Sequence, residues 1–228
     1  MRKLLIIPLL IFTFSKNIAQ KPRDLPTPFP TNKIDGIYSG IEGHKLLNNN
    51  ENIDGTPYAY PFMDAKVKGV EGTTKMRYNA NNDEVEYETE NGNLALLKLP
   101  KFSDIYFEAL NLHLKLVTYN YNNTKITGYL YEIIDKPTVK IYRKEHITYN
   151  KAKPARTSYD EAANANFSKD KPVYFIKKGD AEIVEMPSNK KKLIEMYPEK
   201  KEIITQYFKN NRVDLSDSKD LQKLAEIL

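Results

Sequence analysis

From Ala65 onward the chain alternates, and this pattern constrains the fold more than any other feature. Short runs of alternating apolar and polar residues follow one another: Ala65–Val70, Thr73–Tyr78, Glu84–Glu90, Asn93–Leu99, Phe102–Glu108, Leu112–Tyr119, Ile126–Ile134 and Val139–Tyr149. Turn-forming stretches separate them, among them VEG, NANN, NG, NYNNT and DKPT. A period of two puts alternate side chains on opposite faces of a strand. Short strands joined this tightly predict an antiparallel meander that closes into a barrel or folds over as a sandwich. No strand–helix–strand alternation suggests a parallel α/β sheet.

Beyond this region the pattern changes twice. Residues 150–171 are polar and mixed, and read as a long surface loop or a short helix near Tyr159–Ala165. Val173–Ile176 and Glu182–Met186 predict one more hairpin around KKGD. Residues 188–228 then read as helices packed on the β domain of residues 56–187. Ser188 is a candidate N-cap, and Pro198 suits a first helical turn. Leu193, Tyr197, Ile204 and Phe208 form one apolar stripe, with Asn210 and Asn211 as its stop. A last helix, capped by Ser216 or Ser218, carries Leu221, Leu224, Ala225 and Leu228 on one face. The fold class expected is mainly β with a C-terminal helical segment.

The N-terminus reads as an address. Arg2 and Lys3 precede an apolar run of 11 residues, Leu4–Phe14, and then small or polar residues to Gln20. That is the layout of a secretory signal peptide, residues 1–19, cleaved after Ala19 or Gln20. A spanning helix needs about 20 apolar residues, so no transmembrane segment is expected in the mature chain. Residues 20–55 are rich in Pro, Asn and Gly and read as a leader and loops, with one short element around Ile37–Leu47. The signal carries Arg2, Lys3 and Lys16 and no acid, so its removal lowers the formal charge from +5 to nearly neutral. A nucleic-acid partner is therefore not expected. The absence of cysteine removes disulfides, thiolate metal sites and thiol nucleophiles.

The stretch MRYNANNDEVEYE, residues 76–88, carries the densest charge. With Asn79–Asn82 as a four-residue loop, Arg77 opposes Glu84, Lys75 opposes Glu86, Met76 opposes Val85 and Thr74 opposes Tyr87. This register satisfies charge and packing together. Glu84, Glu86, Glu88 and Glu90 then form a solvated sheet face. The rival reading is a carboxylate hydrolase, since same-face neighbours about 6.5–7 Å apart suit an inverting glycosidase. It needs one acid in a cleft, which an open row beside two bases does not provide.

The three histidines, His44, His113 and His146, show no metal-ligand spacing, and no nucleotide-loop or nucleophile-elbow motif occurs. No catalytic residue, cofactor or metal is expected. The candidate contact surface is a set of tyrosines, Tyr119, Tyr121, Tyr129, Tyr131 and Tyr142, in a chain with 16 tyrosines and no tryptophan, set against the commoner role of tyrosine as a half-buried lid packed on a sheet. Lys190–Lys192, Lys200 and Lys201 form a basic cluster, interleaved with Glu195, Glu199 and Glu202 as a solvated helix face.

IDGTPYAYPFMDAKVKG, MRYNANNDEVEYE and KKKLIEMYPEKKEIITQYFKNNRVDL together resemble a group of small exported proteins of Bacteroidota-type bacteria. The signal ending in IAQ is similar to signals used there. The resemblance spans about residues 53–215, implies periplasm or cell envelope, and brings no functional residues with it. The function expected is that of a non-enzymatic envelope protein acting through contacts with envelope proteins. The alternative is a carrier of a small ligand or glycan in a barrel pocket.

Overall fold

The alternating runs form strands, as their period requires. The computed structural model describes Gly43–Lys45, 53–155 and 162–228, all within one compact unit. The signal peptide, most of the leader and residues 159–161 of the expected helix lie outside the described residues. Residues 162–165 are not helical.

The strands are β1 (Gly43–Lys45), β2 (Met63–Val67), β3 (Thr74–Asn79), β4 (Glu84–Thr89), β5 (Gly92–Leu96), β6 (Asp104–Phe107), β7 (Leu112–Tyr121), β8 (Thr124–Asp135), β9 (Val139–Lys144), β10 (Ile147–Asn150), β11 (Asn166–Lys169), β12 (Val173–Lys178) and β13 (Ile183–Glu185). Three helices follow, α1 (Lys190–Met196), α2 (Lys201–Asn210) and α3 (Ser218–Leu224). The sequence expectation of one long strand over Val139–Tyr149 divides into β9 and β10, and β11 falls in the stretch expected to be loop. Its polar residues, Asn166 and Ser168, conceal it. They pair instead through Asn150 Nδ2, which donates to Asn166 Oδ1 and Ser168 Oγ at 3.1 and 3.0 Å.

Eleven strands make one sheet in the order β1-β5-β4-β3-β2-β6-β7-β13-β12-β9-β8, and β7 also pairs with β8. That last pairing closes β7, β8, β9, β12 and β13 into a five-stranded barrel. Closure needs one parallel contact, Ile183↔Tyr119 and Val184↔Asn120, in an otherwise antiparallel sheet. The remaining strands extend from β7 as an open arm. β10 and β11 form a separate ribbon.

Three cores follow from this division. Tyr119, Leu130, Tyr142, Phe175 and Ile183 form a cluster drawn from all five barrel strands, so it fills the barrel's interior. A second core, including Met76, Tyr78, Val85, Tyr87, Phe107, Tyr129 and Tyr131, lies between the arm and the outer faces of β7 and β8. The third joins Val139, Ile141 and Ile176 to Leu193, Tyr197, Ile204, Leu221, Leu224, Ala225 and Leu228. The helical stripes expected from sequence are thus buried against the barrel, at roughly 1.5–3 kcal/mol for each fully buried leucine.

The helix caps differ by one residue from expectation. Asn189, not Ser188, accepts from Lys192 N at 3.0 Å, and Asp217 accepts from Lys219 N and Asp220 N at 2.9 and 3.0 Å. An aspartate cap adds its charge to the positive end of the helix, where Ser216 or Ser218 would add only a hydroxyl.

Candidate functional site

The expected tyrosine surface is not a surface. Tyr119, Tyr129, Tyr131 and Tyr142 are buried, and Tyr121 is half-buried with its ring 5.8 Å from that of Phe175. Strand β8 has both faces covered: Tyr129 and Tyr131 serve the arm–barrel core while Leu130 points into the barrel. Alternation along this strand separates two interiors, not inside from outside. Burial pushes the hydroxyl pKa of Tyr129, Tyr131 and Tyr142 up, so all three stay protonated.

The glutamate row is corrected in register and in exposure. Arg77 opposes Glu86, Met76 opposes Tyr87, Tyr78 opposes Val85 and Asn79 opposes Glu84. The expected faces are kept, but the pairing slides by two residues. Asn79 explains the slide: its Oδ1 accepts from Asn81 N and Asn82 N at 3.1 Å each, fixing the loop at Ala80–Asp83. Glu88 and Glu90 are exposed, whereas Glu86 is buried. Arg77 Nε and Nη2 donate to Glu86 Oε2 at 2.9 and 2.6 Å. The guanidinium carbon lies 3.4 Å from the Tyr58 ring centre and 4.1 Å from that of Phe62. Burial, with Glu86 alongside, pushes the Tyr58 hydroxyl up to about 12. This buried pair is satisfied by its own neighbours and leaves no free acid.

Asp83 joins the arm to the barrel. It holds a left-handed conformation, φ 58°, at the tip of the β3–β4 hairpin. Its carboxylate accepts from Tyr78 Oη at 2.7 Å, Lys98 Nζ at 2.6 Å, Lys144 Nζ at 3.1 Å and Tyr129 N at 3.1 Å. Gly128 is required beneath it, because a Cβ there would meet Asp83 Oδ2 at 2.5 Å. Burial lowers the Lys144 pKa, but Asp83 and Tyr119 more than offset this and leave it raised, so the lysine is charged.

A second carboxylate, Glu145, is more deeply buried than Asp83 but less completely matched. Lys169 Nζ lies 3.4 Å from Oε2, and Arg143 Nε lies 3.0 Å from Oε1. The Arg143 Nε contact is an ion pair without hydrogen-bond alignment, and neither that N–H nor the Tyr131 hydroxyl has a hydrogen-bond partner among the described residues. Arg143 Nη2 donates to Tyr60 Oη at 3.1 Å.

The histidines lie apart. His113 Nδ1 is 2.7 Å from Asp104 Oδ1, His146 Nδ1 is 2.8 Å from Asp170 Oδ2, and His44 sits in β1 opposite Ala95. Asp104 begins a ladder of charge: Lys115 Nζ bonds Asp104 at 2.6 Å and lies 3.4 Å from Glu132, which Lys140 approaches at 3.7 Å. Burial pushes the Asp104 carboxyl up, but hydrogen bonds from Lys115 and His113 outweigh it and hold the pKa below the ordinary value. Among the described residues no three His, Asp or Glu side chains converge as a metal-binding set.

Two places remain open. The arm ends at β1, which pairs through Gly43↔Leu96, His44↔Ala95 and Lys45↔Leu94 and has no partner on its other side among the described residues. The barrel has a depression beside β13, lined by residues that include Val117, Tyr119, Lys177 and Ile183. No pattern in the sequence signals the depression, because it depends on where a three-residue strand closes the ring. The sequence matches no family model, no curated protein and no solved structure.

Proposed function

We propose that this is an exported, non-enzymatic protein of the cell envelope that works by contact with other proteins, through the open edge of its sheet at β1. The observation that carries this reading is the contrast between that edge and the rest of the surface. Ile203 is the exposed large apolar residue among those described. A contact made by side chains would call for an apolar patch. Strand addition does not, because main-chain hydrogen bonds along a free edge supply the affinity.

The non-enzymatic reading is supported by the state of the acids. Glu86, Asp83 and Glu145 are each met by a cation, whereas a carboxylate hydrolase needs two acids converging on a cleft. The carrier alternative would hold its ligand where Tyr142 and Phe175 already fill the barrel. No helix among the described residues is long and apolar enough to cross a membrane.

A photo-cross-linking residue at His44, with one at Ile203 on α2 as control, tests the reading in the native host. A discrete adduct from position 44 and none from 203 is the expected result. A short edge strand bearing Lys45 is also how a sheet protects itself from aggregation. Absence of any adduct at 44, or adducts from 203 alone, supports that role and sinks the contact reading.

A further inference from the structure

The barrel wall is thin at one place. β12 pairs with β13 through Phe175↔Glu185 and Ile176↔Val184, and β13 pairs with β7 through two residues. Beside this seam lies a depression of about 260 Å³. Its apolar lining comes from Val117, Tyr119 and Ile183, which belong to the barrel interior, so the depression reaches the packed core from outside.

We infer that this depression binds a small amphipathic anion, one carboxylate on a short apolar tail. The charge of the site sets the head group. Glu182 is already engaged, by Lys125 at 2.8 Å and Asn120 at 2.8 Å. Lys177 lines the same depression and pairs with no carboxylate among the described residues. It lies two residues beyond Phe175 on β12 and so shares the inward face of the strand. Its cross-strand neighbour is Lys140, and like charges directly opposed are unfavourable. Lys140 is itself held by Asp135 and Glu132. Glu182 is therefore engaged, and Lys177 carries its charge beside an apolar floor with no ion pair among the described residues.

The floor sets the tail. The volume is just below the range of about 300–1,000 Å³ typical of ligand pockets, which limits the occupant to a short aliphatic or single-ring acid. A cation is disfavoured by Lys177 and Lys125, and a neutral alcohol forgoes the charge-assisted hydrogen bond.

Titration of the ¹⁵N-labelled protein with hexanoate, hexanol and hexylamine tests this by amide shift mapping. Hexanoate is expected to give saturable shifts confined to residues 117–120, 125, 177 and 181–183. Hexanol should bind about tenfold more weakly, and hexylamine not at all. Lys177→Gln should reduce hexanoate to the affinity of hexanol, and Val117→Trp, which fills the floor, should abolish both. Shifts that do not saturate overturn the site. Equal binding of all three probes, or an unchanged hexanoate affinity in Lys177→Gln, overturns the anion.

Discussion

The barrel and the arm solve the edge-strand problem in opposite ways. Every barrel strand has a partner on each side, because β13 bridges back to β7. The arm instead runs out through β5 to a three-residue strand, the last of the sheet among the described residues. Closure abolishes edges and leaves little to recognise; an open arm keeps main-chain groups available to another chain. The comparison teaches that the stable part and the proposed contact part of this sheet are different strands. They are joined by the β6–β7 ladder and a shared apolar core, with Asp83 as the polar join between them.

Removing that join should have the largest effect. Asp83→Ala leaves Lys144, Tyr78 Oη and Tyr129 N–H without their acceptor, and should cost about 3 kcal/mol in urea unfolding. An unchanged midpoint would mean that arm and barrel are held by their apolar core alone. Gly128→Ala comes next, at about 2 kcal/mol, because the new methyl displaces the Asp83 carboxylate. In an Asp83→Ala background that cost should fall below about 1 kcal/mol; equal costs in both backgrounds would refute the steric account.

Two buried tyrosine hydroxyls sharpen the comparison further. Tyr78→Phe removes a hydroxyl that donates to Asp83 and should cost about 1–2 kcal/mol. Tyr131→Phe removes an unpartnered hydroxyl and should be neutral or slightly stabilising in the same melt.

The smallest effect concerns acid. The folded pKa of Asp104 is held below its ordinary 3.8, so its contribution is present in full above the unfolded value. It is lost as pH falls through the lower folded pKa. Asp104→Asn should flatten the pH dependence of stability below about pH 4 and leave the slope at neutral pH unchanged. An unchanged slope below about pH 4 would contradict this.

Much of the architecture was legible from local pattern. Alternation found the meander, and the Leu221, Leu224, Ala225 and Leu228 face found the last helix. The hairpin of β3 and β4 kept its faces because parity is set by Met76, Tyr78, Val85 and Tyr87. Its exact pairing was not legible, since it depends on the Asn79 side chain closing the loop. Tyr129 and Tyr131 pack, as tyrosines on a sheet commonly do, but their place in a second core was not legible, because alternation does not report whether the far side of a strand is water or another core. Glu86 was misread for the same reason, as Tyr58 and Phe62 close over its partner Arg77 from a segment with no strand pattern. The Asp83 contacts and the seam are tertiary events between residues tens of positions apart, and no local signal announces them.

Amide hydrogen exchange on the purified full chain tests the central contrast most directly. The account predicts that amides of β9 and β12 exchange only through global unfolding. Those of Leu94–Leu96, under β1, should exchange much faster, through local opening of the edge. Equal protection of the barrel strands and the β1–β5 edge would contradict the account.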